Sequence, residues 1–138
     1  MDECGTHTSL GPIYGYAPKG ERLQLSVPRK RGKNTTLLAS MSIEGMGPCL
    51  AVEGSTTKAL FEAYVERGAK LLYLPSYSPD HNPIEEAFAK VKNLLGKAAA
   101  RTKGALVEAI GVALSALSVQ DARGYFEHAG YRSPAHLL

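Results

Sequence analysis

Glu85 stands where a carboxylate can do chemistry. It closes the run Leu71-Leu72-Tyr73-Leu74-Pro75-Ser76-Tyr77-Ser78-Pro79-Asp80-His81-Asn82-Pro83-Ile84-Glu85. The four apolar residues at its head, stopped by Pro75, have the pattern of a buried strand of a parallel sheet, apolar on both faces. A Ser-Pro-Asp turn follows. Asn82 then suits a helix N-cap, Pro83 the first helical position and Glu85 the third. The segment therefore predicts a carboxylate on the first helical turn just past a strand end, the usual place for chemistry in open α/β sheets. In plain structural terms Glu85 is a capping-box carboxylate, Asp80 a turn residue and Glu86 a solvated one.

Two further groups carry charge in patterns that chemistry uses. Asp2-Glu3 lies at the opposite end of the chain, where an acidic pair ordinarily frays into solvent. Arg29-Lys30-Arg31-Gly32-Lys33 places four cations in five positions, flanked by Pro28 and Asn34. Such a turn is either a solvated, edge-protecting face or a contact for phosphates.

The elements that must position these groups follow from periodicity. Arg22 to Val27 alternates, with Leu23, Leu25 and Val27 on one side, and predicts a half-buried strand. Thr35 to Ile43 predicts a second strand, the two making a hairpin around the basic turn, and Cys49 to Val52 a third. Ser55 to Glu66 predicts a helix capped by Thr56 or Thr57 and ended by Gly68, with Leu60, Phe61, Tyr64 and Val65 on one face. From Pro83 a helix carries Ile84, Phe88, Val91, Leu94 and Leu95 inward. Thr102 caps a helix running to Leu117, and Ser118 with Asp121 forms a capping box for another that ends at Gly130. His128 and His136 read as surface or cap residues.

Composition bounds the class. The 138 residues are 44% apolar and 21% charged with net charge +3, ordinary for one globular domain and only mildly basic. No apolar run reaches membrane-spanning length, Met1-Asp2-Glu3 is no signal peptide, and no membrane association is expected. Cys4 and Cys49 have no metal-like spacing and are expected as free thiols.

Tyr77 to Glu85, preceded by its apolar strand, resembles the third catalytic motif of DDE transposases. The likeness is to the mariner-like superfamily, in its bacterial insertion-sequence branch, and only His81 falls at a free position of the motif. The acid at Asp2, the run Ala17-Pro18-Lys19-Gly20-Glu21-Arg22 before a hairpin and the all-helical C-terminal end extend it along nearly the whole chain. The resemblance implies an α/β, ribonuclease-H-like fold. Residues 1–131 would be a partial catalytic domain and residues 132–138 a loose tail. It implies Asp2 and Glu85 as catalytic and metal-ligating acids of a Mg²⁺ or Mn²⁺ site performing DNA strand cleavage and transfer. It also implies DNA contact through Lys19, Arg29, Lys30, Arg31 and Lys33. The partners implied are transposon ends and target DNA, a second copy or an intact transposase, in a bacterial cytoplasm and at the nucleoid when bound to DNA.

The chain departs from the family in two places. The strand before the first acid has no counterpart in the sequence. Family members also carry several dozen residues between the helix like Ser55 to Glu66 and the strand like Leu71 to Leu74, including a strand that ends in the second catalytic Asp. Here only Arg67-Gly68-Ala69-Lys70 intervenes. Glu53 belongs to an earlier strand, lacks the following Asn and is rejected as a substitute. The expectation is an incomplete sheet (a hairpin region, one further strand and C-terminal helices), weak metal binding and little or no strand transfer. Two alternatives stand beside it. One is a non-catalytic DNA-binding or regulatory fragment. The other is a small nuclease completed by Glu53 or Asp80.

Overall fold

Thr35, Thr36, Leu37, Leu38 and Ala39 are consecutive and all buried. Successive side chains of a strand point to opposite faces, so this strand must be covered on both. The computed structural model, which describes residues 2–12, 15–30, 32–66 and 81–131, shows how. Strands β1 (Asp2–Thr6), β2 (Thr35–Ser42) and β3 (Gly45–Glu53) form an antiparallel sheet in the order β1-β2-β3. Four helices complete the mixed α/β arrangement of the described residues: α1 (Lys58–Glu66), α2 (Pro83–Ala98), α3 (Lys103–Ser115) and α4 (Val119–His128).

The sheet divides the core in two. Leu37 and Ala39 of β2, with Cys4 of β1, pack against Ile84, Phe88, Val91 and Leu95 of α2 and Leu106 and Ile110 of α3. On the opposite face Leu38 packs with Tyr64 and Leu60 of α1 and Leu50 of β3. Burying Leu37 and Leu38 alone is worth about 1.5–3 kcal/mol each, and neither gain is realised without a helix on its own side.

Local chemistry starts and stops these helices. The Thr57 hydroxyl accepts from Leu60 N–H at 3.3 Å, so α1 begins at Lys58. The Thr102 side chain accepts from Ala105 N–H and opens α3. Both halves of the Ser118–Asp121 capping box are made at α4. Gly130, at φ 92°, turns the chain out of α4 and donates to Glu127 O. No single helix among the described residues is long and apolar enough to cross a membrane.

Three local expectations are corrected. Arg22 to Val27 forms no strand, and Leu23, Leu25 and Val27 are 51%, 49% and 40% exposed. The physical reason is that β2 has two edges and both are taken, one by β1 and one by β3. The hairpin is therefore β2–β3, closed tightly by Ile43 and Glu44 between the paired Ser42 and Gly45. Asp2 is also not frayed. It pairs with Ala39 as the first residue of β1. The Leu71–Leu74 strand, Gly68, Asp80 and the tail from residue 132 lie outside the described residues.

Two backbone positions test this packing. A Cβ on Gly96 would sit 2.6 Å from Gly11 O, because α2 presses its last turn onto the loop after β1. Gly96→Ala should lower unfolding free energy by about 1–3 kcal/mol in urea titration. Ala99, after α2, holds a left-handed φ of 50°. Ala99→Gly should add about 1 kcal/mol in the same titration, since a Cβ is unfavourable there.

Candidate functional site

Antiparallel register puts Asp2, Cys4 and Thr6 on one face of β1. Cys4 lies opposite Leu37 and Asp2 opposite Ala39, both on the side that α2 covers. Asp2 is thereby carried to the first turn of α2, although eighty residues separate it from Asn82.

Asn82 holds the extended backbone of an N-cap, with Pro83 at the first helical position. Its side chain, however, makes no capping bond. Its amide Nδ2 instead donates to Asp2 Oδ2 at 2.9 Å, while Asp2 Oδ1 accepts from Glu3 N–H at 2.8 Å. Glu85 likewise makes no capping box. Its carboxyl group lies near enough to Asp2 to feel that residue's charge. The first-turn reading of Asn82 and Glu85 thus holds for position and fails for partner. A cap needs both side chains bent back on their own helix, and Asp2 competes for them.

Partial burial comes first in raising the Glu85 pKa above its ordinary value, followed by the charge of the nearby Asp2. Lys92, two turns along the same helix face, acts in the opposite direction. The Cys4 thiol, buried beside this group, is pushed up by burial, with Lys92 opposing. Lys92 and Cys4 were not singled out by sequence. The signals were present, in the seven-residue spacing from Glu85 and the two-residue spacing from Asp2.

Glu86, expected to be solvated, and His128, expected as a surface or cap residue, meet here, Nδ1 of His128 on Oε1 of Glu86. His81 is held at the same corner. Tyr131 Oη donates to its carbonyl at 2.9 Å, and its Nδ1 lies 3.4 Å from Ala129 O. The end of α4 is thus attached to the residue that precedes the N-cap of α2.

A second group lies at the far end of the sheet. Glu53 closes β3 opposite Thr35, and the register places Thr35 and Ala39 four residues apart along β2. At about 3.4 Å per residue that is roughly 14 Å from the Asp2 end. Glu53 accepts from Lys33 at 3.2 Å and is also bonded by Lys103. Those two hydrogen bonds, Lys103 first, hold its pKa below the ordinary range. Arg101 donates to Thr8 O at 2.9 Å, Leu10 O at 2.8 Å and Ser26 O at 3.4 Å. Lys33, Glu53, Arg101 and Lys103, with Thr8 and Gly32, line a cleft of about 290 Å³. Arg101 and Lys103 carried no sequence signal beyond their charge.

The remaining expected site residues have defined surroundings. Lys19, Arg29 and Lys30 are exposed, and Arg31 lies outside the described residues. Among the described residues no three His, Cys, Asp or Glu side chains converge to hold a metal. Asp2 and Glu85 suit one hard cation, because they are oxygen donors whose mutual repulsion a cation would relieve. They do not suit two.

The sign of the Glu85 shift has a stability consequence. The folded protein binds this proton more tightly than the unfolded chain does. Stability from this group is therefore full below its ordinary value of 4.5 and declines as pH rises through the raised value. Glu85→Gln should consequently raise Tm slightly at pH 7 in a thermal melt, by about a degree or less because the side chain is exposed, with the gain vanishing near pH 4.

No family model matches this chain, and no curated protein matches it either.

Proposed function

We propose that the chain is a segment of a DDE-type transposase catalytic domain of ribonuclease-H-like ancestry, deficient in strand transfer. The observation that carries this reading is the meeting of Asp2 and Glu85, which the motif resemblance pairs as catalytic acids, at the start of α2. Neighbouring carboxylates repel each other when both are ionised, and a cation between them would relieve that repulsion.

Asp2 and Glu85 would hold a single Mg²⁺ or Mn²⁺. When bound, such an ion supplies Lewis-acid polarisation of a phosphate oxygen. Asn82 orients the Asp2 carboxylate through its amide, and Lys92 counterbalances charge on the pair. The acid expected between α1 and the Leu71 run has no counterpart in the sequence, and Glu53 cannot replace it. It stands at the opposite end of β2 and is already engaged by two lysines. One ion without its companion does not clamp both the attacking and the leaving oxygen of a phosphoryl transfer. Residual function is then contact with DNA through the exposed cations Lys19, Arg29, Lys30 and Lys33, with co-assembly on an intact transposase as the biological setting.

Calorimetric titration of Mn²⁺, run beside nicking of supercoiled DNA, tests this. Weak binding that strengthens as pH rises through the Glu85 titration, is lost in Glu85→Ala and is accompanied by no nicking is the expected result. Mn²⁺-dependent nicking abolished by Glu85→Ala would replace the deficient-transposase reading with a working nuclease. Binding unchanged in Glu85→Ala would remove the site altogether.

A further inference from the structure

We infer that the cleft between the loop at Gly32 and the start of α3 is a phosphate-binding site, built for a phosphodiester of a nucleic-acid backbone. It deepens the DNA-contact part of the proposed function and rests on that reading only for the source of the phosphate. The charges of the cleft itself owe nothing to the Asp2–Glu85 pair.

Three cations and one carboxylate share the cleft: Lys33, Arg101, Lys103 and Glu53. The balance is two positive charges in excess. The cations differ in freedom, and that difference is what a binding site requires. Arg101 is immobilised by three backbone carbonyls, which use three of its five N–H donors and leave two. Its guanidinium is already in place, so an anion that meets it orders nothing further. The Lys33 and Lys103 side chains are 83% and 64% exposed, and each is held by Glu53. Each ammonium has three donors and Glu53 can occupy few of them.

Glu53 is therefore a resident anion that holds two lysines at the spacing of a shared oxyanion ligand. A phosphate, with more acceptor oxygens, can add to this array or displace the carboxylate from it. Lys33 lines the cleft, and Arg29 and Lys30, a few residues before it in the sequence, are exposed. Exposed cations on the same segment, beside a fixed guanidinium, suit a polyanion that runs past the site better than a small anion enclosed by it.

The test uses two probes on the whole chain. Inorganic phosphate is followed by backbone amide NMR shifts, and a 20-base-pair duplex by fluorescence anisotropy across a salt series. Glu53→Gln releases both lysines and should tighten binding of each probe several-fold. Lys103→Gln should weaken duplex binding and reduce the slope of log K against log salt by about one. Circular dichroism checks that both variants fold, and Glu53→Gln is the decisive variant if Lys103→Gln does not. Response of the duplex, with or without phosphate, supports the site and assigns it to a nucleic-acid backbone. Response of phosphate alone supports the site, assigns it to a small phosphate ligand and overturns the DNA-contact reading. No response of either probe to Glu53→Gln overturns the inference, and leaves the Mn²⁺ result at Glu85 untouched.

Discussion

One strand must be dry on both sides, and the rest of the arrangement answers to that. Leu37 and Leu38 of β2 point in opposite directions and each is 1% exposed. An antiparallel sheet commonly leaves one face to water, but the central strand of this one is covered on both. Helices α2 and α3 shield the Leu37 side and α1 the Leu38 side. With β2 central, β1 and β3 must take its two edges. Register then decides everything along β1, because a slip of one residue would move Cys4 out of the core and Asp2 away from α2.

This division explains why some of the fold was legible in the sequence and some was not. Caps are local, since Thr102, Ser118 and Asp121 act on residues within four positions, and their reading required nothing distant. The apolar faces of α1 and α2 likewise follow from helical spacing. Strand pairing is not local. Leu23, Leu25 and Val27 alternate as well as any strand, but alternation does not reveal that both edges of β2 are already occupied. At the candidate site, the chemical types at Asp2 and Glu85 were legible, and their resemblance to a motif gave a reason to consider them together. The Asn82 amide between the helix and Asp2, the Lys92 counter-charge and the Cys4 neighbour depend on how β1 docks on α2. No short-range pattern encodes that. Arg101 and Lys103 belong to the same category, being two cations whose meaning depends on where β3 ends.

The two ends of the sheet are electrostatic opposites. At the Asp2 end like charges are adjacent, and Glu85 retains its proton more firmly as a result. At the Glu53 end one carboxylate serves two lysines and releases its proton more readily. Four residues of β2 separate them, roughly 14 Å at strand rise and beyond the Debye length of physiological salt. Each end therefore responds to its own ligand without much electrostatic influence on the other.

Arg101 does with one side chain what a ladder of hydrogen bonds would do for a strand, and among the described residues it grips main-chain oxygens. Thr8, Leu10 and Ser26 supply carbonyls to it, a group that every amino acid possesses. Mutational tolerance is thus unequally shared across the clamp. The three acceptor positions can drift in identity while the clamp persists, whereas a single codon change at Arg101 dissolves all three attachments together. Under drift, the three acceptor positions between β1 and β2 could change identity while the one arginine that holds them, which lies outside that segment, could not.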